Sequence, residues 1–389
     1  MQPMSGAIQN YAWGSTTDIP RILGVEQTDQ PQAEYWLGAH ASAPSVVDGE
    51  SLVVRLEREP GIIGGASIER FGNQLPYLLK VLAANRPLSL QAHPSREQAE
   101  AGFARENAAG IPLDDPKRTY KDSWPKPELM LALTPFDALC GFRDPKQTAE
   151  LFEALEIPAL DQMVAPLRLR EGSAGLAEVF LDALGQSEER RDLVNQTVAT
   201  CVPHADAESP VGDFCRTAVM LDEYYPGDPS ILAALMMNRF TMQPGEGVFL
   251  PAGNLHAYLK GAGIEIMANS DNVLRGGLTP KHIDVDELVR VVDFDAAPVE
   301  LVRGVEIAPG LLRFPTPAPE FALWQVSPGD GVEVELPSTQ SGRILLVIEG
   351  TVRDTEGTEL TKGQSAFLVA GEQVTLSGDG IAFLAAPGV

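Results

Sequence analysis

The sequence predicts a mainly β fold that contains a helical insertion and ends in a second β unit. Polar and apolar residues alternate in short segments, of which residues 88–94 are the clearest. Residues 144–238 are instead rich in Ala, Leu, Glu and Arg, with apolar residues at helical spacing. Residues 245–253 and 363–371 share a first glycine, a Phe-Leu pair and a closing Ala-Gly. This weak repeat, punctuated by glycines, is typical of two jelly-roll units.

Polar side chains line one face of the strand predicted at residues 88–94. Ser89, Gln91 and His93 occupy alternate positions, so an extended backbone points them to the same side. The run at residues 75–82 predicts a neighbouring strand, which places this face inside a sheet structure. Inward polar groups need partners, and a metal ion would satisfy both Gln91 and His93. The alternative is a strand whose polar face is solvated.

A helix is predicted directly after this strand. Ser95 and Gln98 have the spacing of a capping box, and residues 96–108 are rich in helix formers before Gly110. The partly positive start of this helix therefore lies close to His93.

Residues 126–133 predict another strand, on which Lys126 and Glu128 share a face. Pro125 and Pro127 cannot donate to a ladder, so this segment is an edge strand or the entry to a strand. Glu128 is a third ligand candidate beside Gln91 and His93, and the alternative is a surface ion pair with Lys126.

The middle of the chain predicts helices, and the parts around it predict strands. Residues 34–40 form a strand with Glu34 and Trp36 on one face, followed by His40 as a hydrogen-bonded core or rim residue. The predicted helices are residues 146–155, 174–184, 187–201 and 229–238, with Ser187 as an N-cap. The expected domains are residues 1–143 with 239–307 (β), 144–238 (helical) and 308–389 (β).

The last ligand candidate comes from the first copy of the repeat. His256 lies three residues beyond Gly253, and Tyr258 shares its face of a strand. The second copy has Val374 at the position that matches His256. We therefore expect a metal site in the first β unit and none in the second.

Composition limits the partners of the protein. Its 54 acidic residues outnumber the 29 basic ones, and a field of that sign repels nucleic acid and anionic membranes. The longest apolar run, residues 231–237, is far shorter than the ~18 residues that a membrane span needs. Cys140, Cys201 and Cys215 are an odd set without CxxC spacing, which is typical of buried thiols in a reducing compartment. We therefore expect a cytoplasmic protein, in which a local basic cluster must capture any anionic substrate.

Together, Gln91, His93, Glu128 and His256 form a ligand set of imidazole, carboxylate and amide groups. Such a set suits Zn²⁺, and its ligand types also admit Mn²⁺, Fe²⁺ or Co²⁺.

Several blocks of the sequence resemble the type I phosphomannose isomerases. The blocks are residues 11–15, 34–40, 89–94, 126–128 and, most strongly, 253–281, where Gly-Asn-Leu-His-Ala-Tyr-Leu leads on to Ser-Asp-Asn-Val-Leu-Arg-Gly-Gly-Leu-Thr-Pro-Lys.

The resemblance implies a cupin-type architecture with a catalytic barrel, an inserted helical domain and a C-terminal β domain. It implies one Zn²⁺ per chain, held by Gln91, His93, Glu128 and His256. The other active-site positions of the family fall on two groups of residues. The first group, which we expect to be catalytic, is Arg275, Glu265, Tyr258 and Lys126. The second group, which we expect to bind substrate, is Lys281, Ser89, Lys80 and Trp13.

One departure from the family pattern affects the mechanism. The family commonly has Asn-His before Lys-Pro-Glu, whereas Trp124 and Pro125 precede Lys126 here. A mechanism that assigns the base to that histidine cannot operate in this chain.

The resemblance implies interconversion of mannose 6-phosphate and fructose 6-phosphate through an enediol. Glu265, Tyr258 and Lys126 compete for the proton transfer. We favour Glu265, whose alternative role is a structural partner of Lys126 or Arg275. Arg275 and Lys281 are the expected basic cluster for the substrate anion.

We expect a monomer or weak homo-oligomer that acts on a small phosphosugar. The alternative function is a non-catalytic metal-binding cupin that serves as a sugar-phosphate binding or regulatory module. The four ligands together with Arg275, Tyr258 and Lys281 favour an enzyme, because a binding module does not need a Lewis acid and acid/base groups together.

Overall fold

A computed structural model describes residues 1–170, 172–329 and 331–388. Within these ranges the strands form sheets of eleven, nine and four strands. Paired strands in all three sheets run antiparallel. No helix in these ranges combines the length and apolar character that crossing a membrane requires. The mainly β fold class with a helical region is confirmed.

The chain up to residue 143 consists mostly of strands with a few short helices. Its elements are β1 (Gln2–Ser5), β2 (Ala7–Gln9), α1 (Asp18–Leu23), β3 (Glu34–Gly38), β4 (Val46–Val47), β5 (Glu50–Ser51), α2 (Leu52–Arg58), a 3-10 helix (Pro60–Ile63), α3 (Gly65–Phe71), β6 (Tyr77–Ala84), β7 (Leu90–Ala92), α4 (Arg96–Ala108), β8 (Glu128–Ala132) and β9 (Phe136–Phe142).

Two local signals in this part have different outcomes. The capping box before α4 is confirmed, because Ser95 accepts from Gln98 N and the Gln98 side chain accepts from Ser95 N. Strand β8 lies between β11 (Glu246–Leu250) and β12 (His256–Ala268), so the edge-strand alternative is wrong. Pro127 instead precedes the first residue of β8, where a missing N–H costs no ladder bond.

The next part of the described chain is helical. Its helices are α5 (Pro145–Glu153), α6 (Pro158–Val164), α7 (Pro166–Leu169), α8 (Ser173–Ala183), α9 (Glu188–Cys201), a 3-10 helix (Val202–His204), α10 (Pro210–Tyr224) and α11 (Ser230–Ala234). Ser187 caps α9 by accepting from Arg190 N at 3.2 Å, as predicted.

The predicted helix at residues 229–238 is wrong beyond Ala234. The chain turns there, and Met237–Met242 form β10 alongside β9. The Ala, Leu and Met residues of this stretch favour a helix locally, and cross-strand pairing overrides that preference.

Strands then follow the helical part of the chain. They are β10, β11, β12, β13 (Leu274–Gly277) and β14 (Leu301–Arg303), and the helix α12 (Val285–Val291) lies between β13 and β14. Asp284 is the N-cap of α12 and accepts from the backbone N–H of Glu287. The helices α5 to α11 pack on the outside of the first β unit, since Phe152 and Phe180 share one core with Leu139 of β9 and Leu255.

Strand β12 organises the eleven-stranded sheet. Its first residues pair with β7 and β9, and the rest pairs with β6 and β8. The change of partners occurs at a bulge between Tyr258 and Lys260. Gly261 follows with a φ of 135°, and a Cβ there would lie 2.8 Å from Phe136 Cα. The strand can therefore bend into two layers only because this position is a glycine.

The C-terminal part consists of strands. They are β15 (Val305–Ala308), β16 (Leu311–Phe314), β17 (Ala322–Val326), β18 (Val334–Glu335), β19 (Arg343–Glu349), β20 (Thr351–Asp354), β21 (Glu359–Thr361), β22 (Ser365–Leu368), β23 (Thr375–Gly378) and β24 (Ile381–Ala386). Val374, the counterpart of His256, is buried in an apolar core with Val334 and Leu376.

The N-terminal strand belongs to the nine-stranded sheet of this C-terminal part. Strand β1 pairs with β22, and Ser365 Oγ donates to Met4 O at 2.8 Å. The two large sheets pack face to face, since Leu79 and Ile264 share a core with Phe314 and Phe383.

Candidate metal centre and active site

Three strands bring the predicted ligands together. Gln91 lies in β7 and His93 directly after it, whereas Glu128 and His256 are the first residues of β8 and β12. Gln91 stands opposite His256 at the start of β12, whereas Glu128 stands opposite Met267 near its end. The ligand atoms of Glu128 and His256 nevertheless lie close together, so the bent β12 brings its two ends to one site.

Two histidines and a carboxylate form a compact buried group. One ligand atom from each of His93, Glu128 and His256 lies within 4.8 Å of the other two. Nε2 of His93 is 3.2 Å from Glu128 Oε1, and Nε2 of His256 is 3.5 Å from Glu128 Oε2. All three residues are buried. Imidazole nitrogen and carboxylate oxygen are ligand atoms typical of zinc.

The hydrogen bonds of the two rings fix which nitrogen faces the group. Nδ1 of His93 lies 2.8 Å from Asn272 O, and Nδ1 of His256 lies 3.1 Å from Asn254 O. A carbonyl only accepts, so Nδ1 of each ring carries a proton and Nε2 is the nitrogen that faces the group.

The protonation states of the group also fit a cation. Burial, opposed by the attraction of Glu128, lowers the pKa of His93 to about 4, so the ring is neutral near pH 7. Burial alone would raise the pKa of Glu128, but the Lys126 ammonium 3.2 Å away holds it well below its usual value. Nε2 of His93 is buried without a hydrogen-bond partner in the described chain. Acceptor atoms that face each other without a proton repel, and a divalent cation between them removes that repulsion.

Gln91 lies next to this group through the strand register. It stands opposite His256 in the β7–β12 pair and opposite Arg275 in the β7–β13 pair. Directly opposed residues of an antiparallel pair share a face of the sheet. Its role as a fourth ligand stays a prediction.

A second buried charge cluster adjoins the first. Lys80 Nζ lies 2.9 Å from Glu265 Oε2 and 3.4 Å from Glu34 Oε1, and it sits 5.2 Å from the centre of the Trp36 ring. Burial disfavours the ammonium, but Glu265 and Glu34 raise the pKa of Lys80. Burial raises the pKa of Glu265 despite the Lys80 charge. The structural partner of Glu265 is therefore Lys80, and the expected partners Lys126 and Arg275 are wrong.

The bulge in β12 places Glu265 on the same face as Tyr258. The two are seven positions apart, an odd number that would put them on opposite faces of a regular strand. The extra residue at the bulge restores the alignment, and Glu265 faces Lys80 across β6 and β12.

The Tyr258 hydroxyl is buried and has no hydrogen-bond partner in the described residues. Burial, with the charges of Glu265 and Glu128 nearby, raises its pKa well above the usual value. The phenol is therefore protonated and free to donate.

The Lys126 ammonium lies 3.2 Å from Glu128 Oε1.

Arg275 and Lys281 lie on β13 and on the loop after it. Arg275 is half-buried and Lys281 is exposed. Within the described chain neither has an ion-pair partner, and the Arg275 charge lowers the pKa of Lys281. Two neighbouring cations without an ion-pair partner give this part of an acidic protein a local positive charge.

The remaining predicted positions lie around the centre. Half-buried Trp13 stacks on Tyr11 at 5.8 Å and packs against the core that contains Tyr258. Ser89 directly precedes β7. The Trp124 ring lies 4.6 Å from the Arg96 guanidinium and 6.0 Å from the Phe71 ring.

His40 is the hydrogen-bonded buried residue that was expected, but its partner Asp271 was not predicted. Ser42 N donates to His40 Nδ1 at 3.3 Å, so Nε2 carries the proton and donates to Asp271 Oδ1 at 3.1 Å. This bond lowers the pKa of Asp271. Asp271 adjoins the block that carries the resemblance, but residue type alone does not distinguish it from other loop carboxylates.

Comparisons with known proteins agree with these features. Residues 1–145 match the family model for the catalytic domain of phosphomannose isomerase type I. The chain is 39% identical to mannose-6-phosphate isomerase of Escherichia coli K12, over 98% of both chains. It is 32% identical to the enzyme of Bos taurus, over 96% of this chain and 94% of the other.

Solved structures show the same similarity. The apo mannose 6-phosphate isomerase of Salmonella typhimurium aligns with a TM-score of 0.90 at 37% identity, over 100% of this chain and 99% of the other. A zinc-bound mannose 6-phosphate isomerase gives a TM-score of 0.90 at 37% identity, with the same coverage.

Proposed function

This chain belongs to the mannose-6-phosphate isomerase family, and from this premise we propose how its residues perform the zinc-dependent interconversion of mannose 6-phosphate and fructose 6-phosphate. The observation that carries the proposal is the buried group of His93, Glu128 and His256, whose ligand atoms lie within 4.8 Å of one another. Membership of an enzyme family favours catalysis over the non-catalytic binding module.

We propose that His93, Glu128 and His256 hold one Zn²⁺ and that Gln91 supplies a fourth ligand. When bound, zinc supplies a Lewis acid that stabilises negative charge on the oxygens of the sugar. The carbonyls of Asn272 and Asn254 hold the two rings in the tautomer that ligation requires.

The substrate phosphate is proposed to bind Arg275 and Lys281. Their mutual repulsion is relieved when an anion binds between them, which supports this assignment. Trp13 and Ser89 are proposed to contact the sugar. Lys80 is occupied by Glu34 and Glu265, so its contribution is to position Glu265.

Glu265 is proposed as the base that moves the proton between C1 and C2. Its raised pKa brings a carboxylate closer to neutral pH, where proton transfer in both directions is efficient. Tyr258 donates its free O–H to a developing oxyanion, and Lys126 adds positive charge beside Glu128. Arg275 is proposed to act on the same developing charge from β13.

We propose that the chain forms three domains, which are residues 1–143 with 239–307, residues 144–238 and residues 308–389. A cytoplasmic location is proposed, and three free buried cysteines support it, because thiols stay reduced in that compartment. The assembly is proposed to be a monomer or weak homo-oligomer.

A coupled assay with mannose 6-phosphate, with and without a chelator, tests the function. We expect turnover that the chelator abolishes and added zinc restores. His256→Ala should lose both stoichiometric zinc and activity, whereas His204→Ala, at an exposed histidine, should keep both. A His256→Ala protein that binds one zinc and turns over normally would defeat the ligand assignment.

A further inference from the structure

We propose that Asn272 is a positioning residue that ties the segment carrying His93 to the segment carrying Glu128, and so sets the separation of these two ligands. The inference rests on the proposed function only through the assignment of His93 and Glu128 as zinc ligands.

The Asn272 side chain uses its full hydrogen-bonding capacity inside the protein. Its Oδ1 accepts from the backbone N–H of Lys121 at 2.7 Å and of Asp122 at 3.2 Å. Its Nδ2 donates to the carbonyl oxygens of Asp122 at 2.9 Å and Trp124 at 2.8 Å. An amide offers two lone pairs and two N–H groups, and here all four are used by a residue with no exposed surface. Such a fully satisfied buried amide holds residues 121–124 rigidly.

The backbone of Asn272 holds the metal ligand. Its carbonyl oxygen lies 2.8 Å from Nδ1 of His93, which fixes both the tautomer and the plane of the ring. One residue therefore binds the loop with its side chain and His93 with its main chain.

Residues 121–124, which the Asn272 side chain holds, lead directly to Glu128 along the chain. Trp124, which Asn272 holds by its carbonyl, is followed by Pro125, Lys126 and Pro127 before Glu128 begins β8. Two prolines with fixed φ make this connection stiff, so the position of the Trp124 carbonyl is transmitted to Glu128.

The Asp122 side chain makes further hydrogen bonds between residues 121–124 and residues 270–272. Its Oδ2 accepts from Asp271 N at 2.9 Å, and its Oδ1 accepts from Ser270 Oγ and Trp124 N, each at 2.9 Å. Each of the two segments, 121–124 and 270–272, therefore donates hydrogen bonds to the other.

Asn254 provides an internal comparison. Its carbonyl accepts from Nδ1 of His256 at 3.1 Å, but its Oδ1 accepts only the weak Cys140 S–H, at 3.3 Å. Removal of this side chain leaves the contact with the ligand in place and breaks no comparable network.

The test compares Asn272→Ala, Asp122→Asn and the control Asn195→Ala, at an exposed position of α9, in the full-length protein. Each is stripped of metal and titrated with zinc against a chromophoric chelator, and each is loaded with Co²⁺ to record the d–d absorption of the site. We expect Asn272→Ala and Asp122→Asn to raise the zinc dissociation constant about 10- to 100-fold and to change the cobalt spectrum. Asn195→Ala should stay within about threefold of the wild type with an unchanged spectrum.

Two results would overturn the inference. One is zinc affinity within about threefold of the wild type, with superimposable cobalt spectra, in both Asn272→Ala and Asp122→Asn. The other is loss of cooperative unfolding in the metal-free form of both variants, which would assign the network to general stability. Failure of the wild type itself to bind one zinc would instead defeat the proposed function.

Discussion

Lys80 and Glu265 stand directly opposite each other on β6 and β12, with 2.9 Å between Nζ and Oε2. Both side chains are buried, and a buried charge without its partner is costly. Lys80→Met should therefore lower the free energy of unfolding by about 3–5 kcal/mol in urea titrations of the zinc-loaded protein. The double variant Lys80→Met/Glu265→Gln should be more stable than the single one. A single variant within about 1 kcal/mol of the wild type would contradict this pairing.

Replacement of Glu265 separates its catalytic role from a structural one. Glu265→Gln should lower kcat about 100- to 10,000-fold, because the amide cannot accept the substrate proton. Zinc content by mass spectrometry should stay at one per chain. The control is Glu57→Gln, at an exposed helix position far from the charge cluster in sequence. Isomerisation within about threefold of the wild type would remove Glu265 as the base.

Arg275 and Lys281 should govern affinity for the phosphate group. A charge-assisted hydrogen bond is worth about 1.5–3 kcal/mol, so Arg275→Met or Lys281→Met should raise KM for mannose 6-phosphate about 10- to 100-fold. Inorganic phosphate should become a correspondingly weaker competitive inhibitor. Lys260→Met, at an exposed lysine of β12, is the matched control. Unchanged inhibition by phosphate in both variants would place the anion site elsewhere.

The neutral His93 ring makes the metal-free protein sensitive to acid. Its pKa is lowered to about 4 in the folded state, below its usual value of 6.5. Between these values the unfolded chain binds more protons, so stability falls as the pH drops from about 6.5 to about 4 and is unaffected by this group above 6.5. The loss should reach about 3 kcal/mol in chelator-treated protein.

The control for this pH dependence is His93→Gln, which cannot titrate. The difference between wild type and variant, measured by urea unfolding at several pH values, isolates the contribution of His93. A difference that does not change between pH 7 and pH 4.5 would show that the ring is not held neutral.

Local signals predicted much of this fold because neighbouring residues determine them. Ser95 and Gln98 cap α4 through bonds between residues three apart. The helix predicted at residues 229–238 ran over the first two residues of β10, because the pairing of β10 with β9 depends on residues about a hundred positions away. A local preference for helix cannot report such a partner.

The site was predictable in its residue types and not in its pairings. Glu265 was expected beside Lys126 or Arg275, and the bulge in β12 instead turns it toward Lys80. Asp271 and Asn272 owe their importance to contacts with His40 and with residues 121–124, which lie far away along the chain. Only the folded chain shows which polar loop residues acquire such partners.

Strand β1 has a consequence for the order in which this chain is completed during synthesis. Residues 2–4 pair with residues 365–367, so this strand leaves the ribosome long before its partner does. The nine-stranded sheet can therefore close around β1 only after residues 365–367 have been synthesised. Until then the edge of β1 that pairs with β22 is open to competing strands, and a pairing of such long separation along the chain forms slowly.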